Sequence, residues 1–112
     1  MVVHWKQEDG IAIIRIDNPP VNTASHAVRE GLANALAQVS ADSRIQAIVI
    51  ACTGRTFVSG ADIKEFGAPP QPPLLNELVQ FIEDPKKPVV AAIHGTALGG
   101  GLEIALAAHA RI

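Results

Sequence analysis

Cysteine occurs once in 112 residues, as Cys52 inside an apolar run. A single cysteine cannot close an internal disulfide, and no Cys/His spacing of a metal site accompanies it. Cys52 therefore reads as a reduced core residue. An excess of positive charge is also lacking: 9 Lys and Arg stand against 11 Asp and Glu, a net charge of −2. With a pI near 6.0 and no basic stripe, nucleic acid is a poor partner. No apolar run approaches the roughly 20 residues that a bilayer-spanning helix needs. The opening Met1–Lys6 lacks the charged segment and apolar stretch of a signal peptide. A cytoplasmic protein with no membrane partner is the expectation. What remains is 48% hydrophobic and 18% charged, a globular balance with length for one domain and a modest core.

Apolar periodicity orders that length. Val2–Lys6 and Ile11–Ile16 read as strands, with Glu8-Asp9-Gly10 between them supplying hairpin chemistry. Asn18-Pro19-Pro20 ends the second strand, because proline cannot donate to a ladder. Val28, Leu32, Leu36 and Val39 share one face of a helix over Ser25–Val39. Gln46–Cys52 is a β-branched run, predicted as a buried parallel strand. Asp62 caps a short helical turn through Phe66. The stretch Ala68–Pro73 is a stiff, extended connector. Leu74–Glu83 is predicted as a helix carrying Leu74, Leu78, Phe81 and Ile82 inward. Val89–Ile93 is the next buried strand, and a last helix spans Gly100–Ala110. The ending Ala110-Arg111-Ile112 resembles the first step of another strand, so residues 1–112 read as the front part of a longer polypeptide.

The order β-β-α-β-α-β-α favours an α/β fold with a parallel sheet and helices outside. Ligands of such sheets sit at the carboxyl ends of strands. Two loops rich in small residues, Thr53–Asp62 and His94–Gly101, leave such ends, and topology allows them to share one ligand. Gly99-Gly100-Gly101 lets backbone approach a ligand closely, and free N–H groups at a helix start attract negative charge. Glu103 lies three residues after Gly100, one helical turn along, and can face the same ligand. An oxyanion site beside an acid/base residue suits a thioester, whose enolate places negative charge on the carbonyl oxygen.

Both loops also match a family pattern. Phe57-Val58-Ser59-Gly60-Ala61-Asp62-Ile63-Lys64-Glu65-Phe66 resembles one signature of the crotonase (enoyl-CoA hydratase/isomerase) superfamily. Lys87-Pro88-Val89-Val90-Ala91-Ala92-Ile93-His94-Gly95 through Glu103 resembles its second. Two long motifs in the right order and spacing are a specific signal; a lone glycine triplet is a weak one. The segment Asn18–Asn22, the Pro-rich connector and the His109–Arg111 ending resemble the hydratase part of multifunctional β-oxidation enzymes, in which a dehydrogenase region follows.

The resemblance implies a crotonase-like fold of repeated ββα units, of which residues 1–112 are the N-terminal portion. It implies that the N–H groups of Ala61 and Gly100 hold the carbonyl of an acyl-CoA thioester and that Glu103 is one of two catalytic glutamates. Val21, Ser59, Ile63 and Lys64 match positions along the CoA and acyl path, Lys64 as a point charge for a CoA phosphate. The implied reaction is hydration of a trans-2-enoyl-CoA to a 3-hydroxyacyl-CoA. Neither a metal nor a cofactor is implied in this segment; NAD belongs to a downstream dehydrogenase. The second glutamate is placed beyond Ile112, so residues 1–112 by themselves are expected to be inactive. Homo-oligomers through segments beyond Ile112, and a peroxisomal location in a eukaryote, are further implications.

Plainer readings stand beside these. Asp62 is a helix cap, Lys64 and Glu65 a solvated charge pair, and His94 and His109 packed or hydrogen-bonded side chains. Ser59 lacks the surroundings of a nucleophile elbow. A Δ3-Δ2-enoyl-CoA isomerase needs only one carboxylate, and a non-catalytic crotonase-like module needs none; an intact Gly99–Glu103 and an acidic pI argue against the latter.

Overall fold

A computed structural model of the chain describes residues 1–112. Strands β1 (Val3–Glu8) and β2 (Ile11–Ile16) pair antiparallel, with Glu8 opposite Ile11. Asp9 (φ 51°) and Gly10 (φ 82°) make the two-residue turn, both in the left-handed region. That geometry matches the twist of the flanking strands and suits an Asp-Gly pair.

Helix α1 (His26–Ala41) starts at Ser25, whose Oγ accepts the Val28 N–H at 3.3 Å. Its last carbonyls find a partner far along the chain. Lys87 Nζ donates to Val39 O at 2.7 Å and to Asp42 O at 2.6 Å, a cation where the helix dipole is negative.

Strand β3 (Ala47–Cys52) lies parallel to β2, β4 (Val89–Ala91) parallel to β3, and β5 (Ala110–Arg111) parallel to β4. The sheet order is β1-β2-β3-β4-β5. Three helices make the crossovers: α1, α2 (Leu75–Glu83) and α3 (Gly100–Ala107). A 3-10 turn, Ile63–Glu65, precedes α2. None of the helices is long and apolar enough to cross a membrane.

Register lines up the core. Ala12, Ile48 and Val89 are adjacent across three strands, as are Ile14, Ile50 and Ala91, and all six are buried. Leu32 and Leu36 of α1, Leu78 and Ile82 of α2, and Ile104 of α3 join them in a single cluster. Each valine, leucine or isoleucine so buried contributes roughly 1.5–3 kcal/mol before entropy is counted.

Several expectations shift. Gln46–Cys52 was expected to be a strand buried on both faces, but only alternate residues of β3 are covered. Val49 stays half-buried beside Ile13 and Val90, because the helices pack on the other face. The last helix stops at Ala107 instead of Ala110, since Ala110 and Arg111 pair with Val90 and Ala91. The strand expected over Val89–Ile93 ends at Ala91. Phe81 is 44% exposed: Leu78 and Ile82 occupy the inward line of α2, and Phe81 falls on its shoulder.

Candidate active site

The two small-residue loops do leave adjacent strand ends, β3 and β4, and they are stitched together. Phe57 N–H donates to His94 O at 2.8 Å, and Thr56 Oγ to Thr96 O at 2.8 Å. The Thr96 N–H returns a bond to Thr56 Oγ at 3.0 Å, and a ring nitrogen of His94 meets Gly54 O at 2.8 Å. His94 is thus a loop fastener, in line with its plainer reading.

Ala61 and Gly100 come together where these loops end. A methyl group placed on Gly100 would lie 3.7 Å from Ala61 N and 3.1 Å from Leu75 Cδ2. Neither N–H has an acceptor within the chain. Each belongs to a peptide whose carbonyl is anchored. Gly60 O accepts the Ala24 N–H at 2.7 Å, and Gly99 O accepts the Glu103 N–H at 3.0 Å. A peptide is planar with N–H and C=O opposed, so anchoring each carbonyl sets the direction of the free N–H. Gly99 adopts φ 53° to turn the chain into α3.

Glu103 is in the first turn of α3, exposed and in none of the ion pairs. The other carboxylates of this region are engaged. Asp62 Oδ1 accepts the Lys64 N–H at 3.0 Å as the cap of the 3-10 turn. Glu65 does not pair with Lys64, contrary to expectation. The turn swings it toward α1, where it binds Arg29 Nη1 at 3.0 Å and accepts the His26 N–H at 2.7 Å. Glu103 is therefore a carboxylate without a partner in the chain, one helical turn after Gly100.

The remaining candidates differ in exposure. Ser59 is half-buried, and its N–H donates to Asn22 O at 3.3 Å, which sets it next to the Val21 segment. Val21 is 39% and Ile63 75% exposed. Lys64 follows Ile63 on the same turn with its ammonium in solvent. Ala61 also lines a groove of about 670 Å³ that runs between the turn and the Pro-rich connector, past Phe66, Pro70 and Leu75.

Two side chains that support the site escaped the sequence reading. Asn22 is buried at φ 53°, and its amide donates to Thr53 O at 2.8 Å and Thr56 O at 2.9 Å. Arg29 is 8% exposed and spans Ala24, Glu65 and the connector. An asparagine in a turn-rich segment, two residues past Pro20, was a signal for a left-handed position; an arginine on an apolar helix face was a signal for a buried pair.

His109 serves the sheet. Its Nδ1 accepts the Val89 N–H at 3.0 Å, and its Nε2 lies 3.1 Å from Glu83 O. Burial pushes the Cys52 thiol up to about 12, so it is protonated and inert at neutral pH.

A mixed sheet with helical crossovers and paired backbone donors at two strand ends defines an α/β fold of the crotonase type. A family model for enoyl-CoA hydratase/isomerase matches residues 6–112, and the chain belongs to that family. It is 46% identical over 102 residues to a peroxisomal bifunctional enzyme of Danio rerio, covering 91% of this chain and 14% of that protein. It is 45% identical over 109 residues to a probable enoyl-CoA hydratase of Bacillus subtilis, covering 91% of this chain and 42% of the relative. Among solved structures, an enoyl-CoA hydratase/carnithine racemase from Magnetospirillum magneticum superposes with a TM-score of 0.91 at 30% identity, over 99% of this chain and 45% of the other. The likeness to multifunctional β-oxidation proteins read from the motifs is borne out by these relatives. The chain spans about one seventh of the bifunctional relative's length and under half that of the others.

Proposed function

We propose that this chain forms the oxyanion site and one acid/base group of an enoyl-CoA hydratase acting in fatty acid β-oxidation. The observation that carries the reading is the meeting of two unpartnered, carbonyl-anchored N–H groups, Ala61 and Gly100, at the start of the helix whose first turn carries Glu103.

The substrate is an acyl-CoA thioester. Its carbonyl oxygen accepts the two N–H groups, which draws electron density from the conjugated double bond. Water then adds at the carbon β to the carbonyl, and the α-carbon takes up a proton. Negative charge builds on the thioester oxygen, where donors fixed in advance stabilise it without reorganising. Glu103 takes or gives the proton of the water. Hydration needs a second acid/base group besides Glu103, supplied from beyond residues 1–112. Val21, Ser59, Ile63 and Lys64 line the acyl and CoA path, with Lys64 toward a phosphate.

The likeness to bifunctional and multifunctional relatives supports a larger protein in which the 3-hydroxyacyl product passes to an NAD-dependent dehydrogenase segment. NAD has no role in residues 1–112, and neither metal nor nucleic acid enters the reading. The place of action is the peroxisome in a eukaryotic cell and the cytoplasm in a bacterial one, and the assembly is a homo-oligomer.

The test uses the protein expressed from its full coding sequence, mixed with trans-2-butenoyl-CoA. Loss of the enoyl thioester absorbance, with 3-hydroxybutanoyl-CoA as product, is expected. One observation favours a second reading: Glu103, a single free carboxylate in the first turn of α3, suffices for Δ3-Δ2 isomerisation, which moves a proton and needs no water. Conversion of 3-butenoyl-CoA to the 2-enoyl isomer without hydration selects it. Tight RNA binding with no acyl-CoA affinity sinks both.

A further inference from the structure

We infer that Arg29 and Glu65 form a clamp that sets the direction of the Ala61 N–H, and so act as positioning residues for the acyl-thioester reaction; this rests on the hydratase reading above. The chain of contacts is short. Gly60 O and Ala61 N–H belong to one peptide plane. Ala24 N–H holds Gly60 O at 2.7 Å, so the Ala61 N–H must face the opposite way. Ala24 is itself fixed through its carbonyl, which accepts Arg29 Nη1 at 2.7 Å. The same Nη1 donates at 3.0 Å to Glu65 Oε1, four residues after Ala61. The oxyanion peptide is thereby bracketed on both sides by one guanidinium.

The clamp has further anchors. Glu65 Oε2 accepts the His26 N–H at 2.7 Å, a carboxylate at the start of α1, where the helix dipole favours it. Arg29 Nε donates to Pro73 O at 2.7 Å and Nη2 to Gln71 O at 3.1 Å. A proline-rich stretch has few N–H groups but a full set of carbonyls, and Arg29 supplies the donors. Only a planar fork serves three carbonyls and a carboxylate at once; a lysine has a single point of attachment. The Ala61 groove wall and the Ala61 peptide are therefore held by the same side chain.

The test compares Glu65→Ala, Glu65→Gln and Arg29→Lys with wild type and with Glu83→Ala, an exposed carboxylate at the end of α2. The probe is a para-dimethylaminocinnamoyl-CoA, whose absorption moves to the red when donors polarise its carbonyl. The second readout needs no ligand: hydrogen exchange of the Ala24 amide, which reports the bond to Gly60 O. Expected for Glu65→Ala and Arg29→Lys are an Ala24 exchange about tenfold faster and a smaller red shift of the bound probe. Exchange in β3 and the centre of α1 stays as in wild type. Glu65→Gln, which keeps an acceptor oxygen, recovers part of both, and Glu83→Ala changes neither. Unchanged Ala24 exchange and unchanged red shift overturn the clamp. So does an equal rise of exchange throughout the chain, which marks a merely structural role. A wild-type protein that binds the probe without any red shift sinks the oxyanion reading itself. The clamp as a catalytic device falls with it, while slowed or hastened Ala24 exchange still decides whether the contact orders the loop.

Discussion

Gly101 lies flat against the backbone of Val58, so closely that a methyl group on Gly101 would overlap the Val58 carbonyl. One residue earlier the situation differs. A methyl on Gly100 meets only the flexible end of Leu75, at 3.1 Å, and stands 3.7 Å from Ala61 N. Neighbouring glycines of one triplet therefore answer to different demands, packing at Gly101 and access at Gly100. Gly101→Ala is expected to cost roughly 3–5 kcal/mol, since rigid backbone must move. Gly100→Ala is expected to stay within about 1 kcal/mol of wild type, helped by alanine's helix propensity, yet to lose acyl-CoA turnover, because its methyl, 3.7 Å from Ala61 N, obstructs the approach of a carbonyl to the two N–H groups. Denaturant melts beside hydration kinetics separate the two; a Gly100→Ala protein of full activity refutes the demand for open access at Gly100.

Glu103 offers the cleanest chemical test, because nothing in the chain leans on its side chain. Glu103→Gln keeps shape and removes the base. Turnover of trans-2-butenoyl-CoA is expected to fall by about 10²–10⁴-fold. Stability is expected to change by less than about 1 kcal/mol, the loss of a charge near a helix start. Binding of a saturated acyl-CoA, read by calorimetry, should hardly move. Retained turnover removes Glu103 from the mechanism.

The elements with strong periodicity were legible before any coordinates. The Asp9-Gly10 turn, the face of α1 and the two loops follow from residue type and spacing alone. So did the meeting of those loops, through the rule for strand ends. What was hidden depends on partners distant in sequence. Glu65 looks like the mate of Lys64 next to it, but its partner Arg29 lies 36 positions away. Lys87 stands at the head of the second signature, and nothing near it in sequence says that its ammonium closes α1. The exposed sheet face at Val49 was equally hidden, because a β-branched run does not say how many of its sides are covered.

Lys87 yields a prediction of its own. Two carbonyls at the end of α1 depend on it, and each charge-assisted bond contributes more than a neutral one. Lys87→Met keeps the aliphatic stem and strips the donors. A loss of about 2 kcal/mol is expected, against less than about 0.5 kcal/mol for the exposed neighbour Lys86→Met. Equal effects in urea titrations of the two variants show that the cap contributes nothing.

Cys52 links the core to alkaline pH. It is 5% exposed, and burial raises its thiol from 9.0 to about 12. The sign follows from the two states. Below pH 9.0 the thiol is protonated whether the chain is folded or not, so stability is full. Between 9.0 and about 12 the unfolded chain releases a proton that the folded chain keeps, and stability falls as pH rises. The slope due to this group is roughly 1.4 kcal/mol per pH unit inside that window. Other groups titrate there as well, so the informative quantity is the stability difference between wild type and Cys52→Ala. That difference is expected to be flat through neutral pH, set by the small cavity that alanine leaves, and to shrink steadily once the unfolded thiol ionises. Alkylation supplies an independent check: iodoacetamide at mildly alkaline pH should label the unfolded chain and spare the native one. Native Cys52 that reacts as fast as the unfolded chain, or a stability difference that ignores pH, contradicts the buried, protonated thiol.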